Sequence, residues 1–312
     1  MDCLVTGGGG FIGSHLVDQL LELGHNVTVL DDFSTGSEAN LEQAKSMAAN
    51  GQLQIFRGSI VDSRLVMKAV NQKDVIFHLA AQINPRASVE NPLFDAKANI
   101  TGSILLYDHA ARAKVPRIIY ASSGGAMYGQ PDKLPATEDT PKQPLSPYGI
   151  SKLAAEHYLL FYGDNYDMTT ISLRYANVYG PRQDPKGEAG VISIFLEALS
   201  RGKPLPIFGD GKDTRDYVYV GDIVEANIAA LTADQNAVLN IGSGVETSVL
   251  TLVQMIEEVT GIEPETTFLP PRPGEVPHIA LDATRAHQVL AWEPTISLHD
   301  GMRRVWNWFT EK

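Results

Sequence analysis

Tyr148 and Lys152, in the run Ser146-Pro147-Tyr148-Gly149-Ile150-Ser151-Lys152, combine residue types and a spacing that can do chemistry. Four residues apart on a helix, their side chains share one face and lie one above the other. Serine followed by proline predicts the helix start, with Ser146 as N-cap and Pro147 as first helical residue. A phenol with its ordinary pKa of about 10 is a poor base at neutral pH, and a neighbouring cation stabilises its phenolate. The pair is therefore a candidate base with its activating ammonium. The same spacing also describes an exposed helix with an ordinary lysine, so its meaning depends on what else the chain binds.

The segment Thr6-Gly7-Gly8-Gly9-Gly10-Phe11-Ile12-Gly13 joins a first apolar run to a first helical stretch. Glycines at 7, 10 and 13 permit a tight turn, close approach of a pyrophosphate to the backbone, and close packing of helix on strand. The helix N-terminus then offers free N–H groups to the phosphates. Asp31 and Asp32 follow the second apolar run. An acid there hydrogen-bonds a ribose hydroxyl and repels a 2′-phosphate, which favours NAD over NADP. A glycine-rich turn capped by surface acids is the plainer alternative.

These residues need a scaffold. Apolar runs at Leu4-Val5, Val27–Leu30, Leu53–Phe56, Val75–Phe77, Arg117–Tyr120 and Thr169–Leu173 alternate with helical stretches around 12–23, 38–49, 63–70, 93–113 and 148–165. Short β-branched runs between helices predict an α/β fold, a parallel sheet covered on both faces. After about residue 174, Pro and Gly become frequent and the elements shorten, which predicts a smaller lobe over the carboxyl edge of the sheet. Segment 217–240 again reads as strand, helix, strand, so the chain is expected to return to the large domain. The expected division is 1–174 plus about 217–242, against about 175–216 plus 243–312.

The 312 residues, 44% hydrophobic and 20% charged, are ordinary for a globular chain. Twenty-five Lys and Arg against 37 Asp and Glu leave a formal charge of −12, which argues against general binding of nucleic acid or an anionic membrane. An anionic ligand would need local arginines or helix N-termini. The single Cys3 rules out an internal disulfide, suits a reducing cytoplasm, and sits in an apolar run where a buried thiol is expected. The eight histidines show no metal-ligand spacing, and His78, following Val75-Ile76-Phe77, reads as a core residue. No run approaches the length of a membrane span.

TGGGGFIG at 6–13, LDDFSTG around Asp31, HLAAQ at 78–82, Asn99, SSGGAMYG at 122–129, Tyr148 with Lys152, LRYANVYGPR at 173–182, GDGKDTRDYVYVGDI at 209–223 and RPGEV at 272–276 follow one another in this order. On these motifs the chain resembles the extended short-chain dehydrogenase/reductases, and among them the UDP-glucose 4-epimerase-like nucleotide-sugar enzymes. The resemblance implies a Rossmann doubly wound parallel sheet with a smaller mixed C-terminal substrate-binding domain. For the cofactor, NAD, it implies Gly7, Gly10, Phe11, Ile12, Gly13, Asp31, Asp32, Phe33, Ser34, Thr35, Gly36, Ser59, Ile60, Leu79, Ala80, Ala81, Gln82, Asn99, Ser122 and Ala176, with Tyr148 and Lys152. Asn177, Arg215 and Arg272 are expected to grip the nucleotide diphosphate, for which guanidinium forks are fitting donors, and Val191 to line the substrate site. The implied reaction is inversion at C4 of a UDP-sugar or dTDP-sugar through a 4-keto sugar, with Tyr148 moving the hydroxyl proton. A homodimer through the helices near 93–113 and 148–165 is also implied.

Four places in the sequence refine this. The hydroxyl-bearing residue expected four places before Tyr128 is Gly124, so Ser123 or Ser122 must supply the group, with Ser123 the better candidate. The 4,6-dehydratases carry Asp-Glu where Gly125 and Ala126 stand, and the decarboxylases carry Glu at Ala126. Epimerisation is thus favoured over elimination or decarboxylation, with a non-catalytic NAD-binding protein as the reading from another class. Ser59 replaces an Asp that contacts adenine. Ile279 stands where glucose-only enzymes carry a bulky Tyr, leaving room for N-acetylated sugars or serving simply as core.

Overall fold

The structure is a computed structural model and describes residues 1–185, 190–271 and 276–311. In chain order the strands are β1 (Asp2–Thr6), β2 (Asn26–Asp31), β3 (Leu53–Arg57), β4 (Val75–His78), β5 (Arg117–Ser123), β6 (Thr169–Tyr175) and β7 (Asn177–Tyr179). They continue with β8 (Leu205–Phe208), β9 (Thr214–Arg215), β10 (Tyr217–Tyr219), β11 (Ala237–Ile241), β12 (Thr247–Ser248) and β13 (Thr266–Leu269). Seven of them form one sheet in the order β11-β6-β5-β4-β1-β2-β3, parallel at every pairing.

The apolar runs are continuous because the sheet is buried on both faces. Cys3, Val5, Val27, Val29 and Phe77 point to one side, where they meet Leu16, Val17 and Leu20 of helix Phe11–Glu22 and Val224 of helix Val220–Ala229. Leu4, Leu30, Ile76 and Ile118, the alternate residues, point to the other. They meet Val66 of helix Ser63–Ala69, Leu106 of helix Gly102–Arg112, and Ala155 and Leu159 of helix Pro147–Asn165. Cys3 is buried as expected, and loss of solvent pushes its thiol up to about 12. His78 is a core residue, its ring held between Thr6 Oγ1 at 2.8 Å and Ser103 Oγ at 2.9 Å.

From β1 the chain runs outward to β2 and β3, then returns across β1 to β4, β5 and β6. The strand order thus reverses between β1 and β4, the switch point where a doubly wound sheet offers its ligand crevice at the carboxyl edge. The helical stretch 93–113 divides into helix Pro92–Ala96, a π-helical turn Lys97–Thr101 and helix Gly102–Arg112. The widened turn carries Asn99. Stretch 38–49 is a 3₁₀ turn, Glu38–Leu41, followed by helix Glu42–Met47.

Beyond β6 the chain steps off the sheet at Ala176, whose N–H still reaches the Ile241 carbonyl at 2.9 Å. The strand, helix and strand expected in 217–240 are present. However, β10 pairs with β7 rather than with the large sheet, which β11 alone of the two rejoins. The pairs β8–β13 and β9–β12 flank helices Val191–Ser200, Val249–Thr260 and Leu298–Thr310. Those helices enclose a third apolar cluster around Tyr179, Phe195, Leu196, Leu252 and Met302.

Candidate active site

The glycine loop after β1 is shaped by contacts that exclude side chains. Gly7 has φ 72°, and a Cβ on it would lie 2.8 Å from the Ala80 nitrogen, so the loops leaving β1 and β4 meet backbone to backbone. A Cβ on Gly13 would strike the Gly7 carbonyl, which fixes how closely helix Phe11–Glu22 approaches its own loop. Gly36, in the loop after β2, packs in the same way on Gly9, where an added Cβ would stand 2.7 Å from the Gly9 carbonyl carbon.

Asp31 ends β2 facing this loop. Its carboxylate accepts from the Gly9 N–H at 2.8 Å and from the Phe33 N–H at 2.7 Å. Burial raises its pKa, and the two amides work against that rise. Asp32 is exposed and, among the described residues, accepts only the Ser34 N–H, at 2.9 Å, so of the two acids Asp31 is the one turned to the glycine loop. Phe33, Ser34 and Thr35 continue the loop, with Phe33 at φ 55°. Ser59 follows β3 and Ile60 is buried against Gly102.

The opposite wall is Leu79, Ala80, Ala81 and Gln82. The Ala80 N–H is held by Thr6 Oγ1 at 3.2 Å, and Gln82 is bracketed by Asn99, whose Oδ1 and Nδ2 bond its N–H and carbonyl at 2.8 Å each. Among the described residues, no group of three or more His, Cys, Asp and Glu is placed to hold a metal ion.

Tyr148 and Lys152 are brought to this crevice. Helix Pro147–Asn165 starts where the serine and proline predict, with Ser146 Oγ accepting the Gly149 N–H at 3.2 Å. Gly149 lets it dock on the segment after β5, since a Cβ there would meet the Ala126 carbonyl and lie 3.0 Å from Pro144 Cβ. Tyr148 is half-buried, its N–H bonded to Ser88 Oγ at 3.1 Å. Lys152 is buried, its Nζ donating to the Ala121 carbonyl at 2.8 Å and lying 4.8 Å from the centre of the Tyr120 ring. Burial pulls its pKa down to about 7, against the opposing charge of Asp95.

The two candidate serines differ. Ser122 is buried and its Oγ donates to Met127 Sδ at 3.7 Å. Ser123, partly exposed at the end of β5, has a hydroxyl with no partner among the described residues. Gly124 is closed to side chains by Leu281. Asn177 opens β7 and Val191 opens helix Val191–Ser200. Arg215 donates to the carbonyls of Thr214 at 2.8 Å and Pro277 at 3.3 Å. Asp216 beside it is taken by backbone amides of Ser243, Gly244 and Leu281. Arg272 lies outside the described residues. Ile279 is 2% exposed and packs with Tyr128, Ala136 and Leu281.

Two buried acids near the pair escaped the sequence reading because an acid within a helical stretch reads as solvent-facing. Asp95 binds Ser151 and Asn99. Glu156, one turn beyond Lys152, takes Arg174 Nε at 3.1 Å and Ser172 Oγ at 2.6 Å, while Arg174 Nη1 donates to the Tyr128 hydroxyl at 2.8 Å. The spacings Asp95–Asn99 and Lys152–Glu156, each one helical turn, were the available signal.

The glycine loop, Asp31 and the tyrosine–lysine pair thus lie at one carboxyl edge of the sheet. Residues 3–242 match the NAD dependent epimerase/dehydratase family. A UDP-glucose 4-epimerase of Mycolicibacterium smegmatis is 45% identical, over all of this chain and 99% of that protein. The crystal structure of a Thermotoga maritima UDP-glucose 4-epimerase with UDP-glucose superposes with a TM-score of 0.94 at 43% identity, covering 100% of this chain and 99% of that one. A Thermus thermophilus UDP-glucose 4-epimerase in complex with NAD gives 0.91 at 38% identity, covering 99% of each chain. The chain belongs to the NAD dependent epimerase/dehydratase family.

Proposed function

We propose that the protein inverts C4 of a UDP-hexose, interconverting UDP-glucose and UDP-galactose, with NAD as its resident cofactor. The observation that carries this reading is the placement of Tyr148, with the buried Lys152 behind it, at the carboxyl edge that also holds the glycine loop. The residues fit the cofactor: Gly7, Gly10 and Gly13 leave a bare loop at a helix N-terminus for the pyrophosphate, and Asp31 faces the ribose position. Leu79 to Gln82 and Asn99 would form the other wall. Bound NAD supplies an acceptor for the sugar's C4 hydride and returns it.

The chain's own groups move the proton. Tyr148 as phenolate takes the proton of the C4 hydroxyl and later gives one back, while the Lys152 ammonium favours the phenolate. Ser123 donates to the same oxygen. Asn177, Arg215 and Arg272 hold the nucleotide diphosphate and Val191 lines the substrate site, in the lobe formed by about 175–216 and 243–312. With Gly125 and Ala126 where elimination or decarboxylation would need acids, the sugar keeps its C5 and C6 substituents.

A second copy of the chain would cover the apolar face of helices Pro92–Ala96 and Pro147–Asn165, where Leu93, Phe94, Ile150, Tyr158 and Phe161 are exposed. No helix among the described residues is long and apolar enough to cross a membrane. A reducing cytoplasm agrees with the lone buried Cys3.

The test is incubation of the purified protein, without added NAD, with UDP-glucose, UDP-galactose, UDP-N-acetylglucosamine, UDP-glucuronate and dTDP-glucose, read by proton NMR. C4 epimers are expected from the UDP-hexoses, and Tyr148→Phe should retain bound NAD yet lose turnover. Failure of every sugar would overturn the reading.

A further inference from the structure

Asp95, on helix Pro92–Ala96, is fully buried, and both its oxygens are engaged. Oδ2 accepts from Ser151 Oγ at 2.5 Å and Oδ1 from Asn99 Nδ2 at 3.0 Å. Ser151 immediately precedes Lys152, and Asn99 brackets Gln82 in the cofactor wall. Lys152 makes no ion pair among the described residues, its Nζ being bound to a carbonyl. A buried ammonium without a counter-charge would shed its proton, and a carboxylate close by favours its charged form.

We propose that Asp95 is a positioning residue for Lys152: its buried carboxylate keeps the ammonium charged and, through Ser151 and Asn99, sets the tyrosine helix against the cofactor wall. The inference rests on the epimerase reading above.

The other groups around Lys152 do not change charge near neutrality. His78 on β4 is uncharged, burial having pulled its pKa to about 3. Tyr120 on β5 and Tyr107 on helix Gly102–Arg112 are buried phenols whose pKa values are driven far above the ordinary one. Glu156 on the tyrosine helix itself is neutralised by Arg174. That leaves Asp95 as the acid bearing on Lys152, its own pKa raised by burial and held back by Ser151, Lys152 and Asn99. Removing this buried negative charge lowers the pKa of Lys152, so the alkaline limb of the activity profile, which needs its ammonium, moves to the acid side.

The experiment measures kcat/KM for UDP-galactose across the pH range in the holoenzyme of wild type, Asp95→Asn and Ser151→Ala. Asp95→Asn should move the alkaline limb acidward by about one pH unit, a loss of about tenfold on that side. Ser151→Ala, which keeps the charge and cuts the tether, should slow turnover without moving either limb. Profiles of Asp95→Asn that overlay wild type would overturn the proposal. Nitrogen-15 NMR of the Lys152 Nζ in the same proteins should show its midpoint moving acidward whether or not any sugar turns over, which separates this inference from the epimerase reading. If Asp95→Asn does not fold, Asp95→Ser carries the same measurements. If neither folds, Asp95 is a structural group and the proposal falls.

Discussion

A Cβ placed on Gly124 would lie 2.9 Å from Cδ2 of Leu281 and closer still to Cδ1. Leu281 is fully buried among Tyr128, Ala136 and Ile279, so it has no easy retreat. This is the physical reason a glycine stands where the resemblance leads one to expect a hydroxyl. Gly124→Ser should therefore lower stability by about 1–3 kcal/mol through overpacking. In thermal unfolding, combining it with Leu281→Ala should give a loss smaller than the sum of the single changes. Strict additivity would show that Leu281 is not what closes the position.

With Gly124 closed, Ser123 has the free hydroxyl at the end of β5. Ser123→Ala should reduce kcat about 10²-fold, the cost of removing one donor to a developing oxyanion. Ser122→Ala, which loses only a contact to Met127, should stay within a few-fold. Steady-state rates with UDP-galactose decide between them, and a reversed order would move the role to Ser122.

Asp31 accepts two backbone amides and, in the proposed function, binds the cofactor ribose. Asp31→Asn replaces one accepting oxygen by a donor and removes the charge. Bound NAD should fall about tenfold, the worth of a charge-assisted hydrogen bond. Discrimination against NADP should weaken as well, as shown by reconstituting the stripped protein with each dinucleotide.

Lys152 contributes a stability penalty with a defined pH dependence. Its folded pKa is about 7 against 10.5 for the free group, so between these values the unfolded chain holds the extra proton. Stability then rises with pH through that window, and below about pH 7 the full penalty is present. Lys152→Met should abolish turnover yet raise the unfolding midpoint at neutral pH. The gap from wild type should narrow as the pH approaches 10.5.

Phe161 is half exposed on the apolar face of helix Pro147–Asn165. Phe161→Glu should give a monomer in sedimentation equilibrium where wild type gives a dimer. A wild type that sediments as a monomer would remove the proposed self-association.

The local devices were readable in the sequence because each is set by short-range geometry. Glycine spacing makes the bare loop, Ser146 and Pro147 start the helix, four residues put Tyr148 and Lys152 on one face, and β-branched runs between helices make a parallel sheet. Only the tertiary structure decided which serine keeps a free hydroxyl, why Gly124 must be glycine, and that β10 pairs with β7 outside the large sheet. It alone also showed that Asp95 lies buried against Ser151 and Asn99 near Lys152. Those outcomes depend on side chains that pack together from distant parts of the chain. Close packing and the cost of burying charge are properties of that contact, which no local pattern encodes.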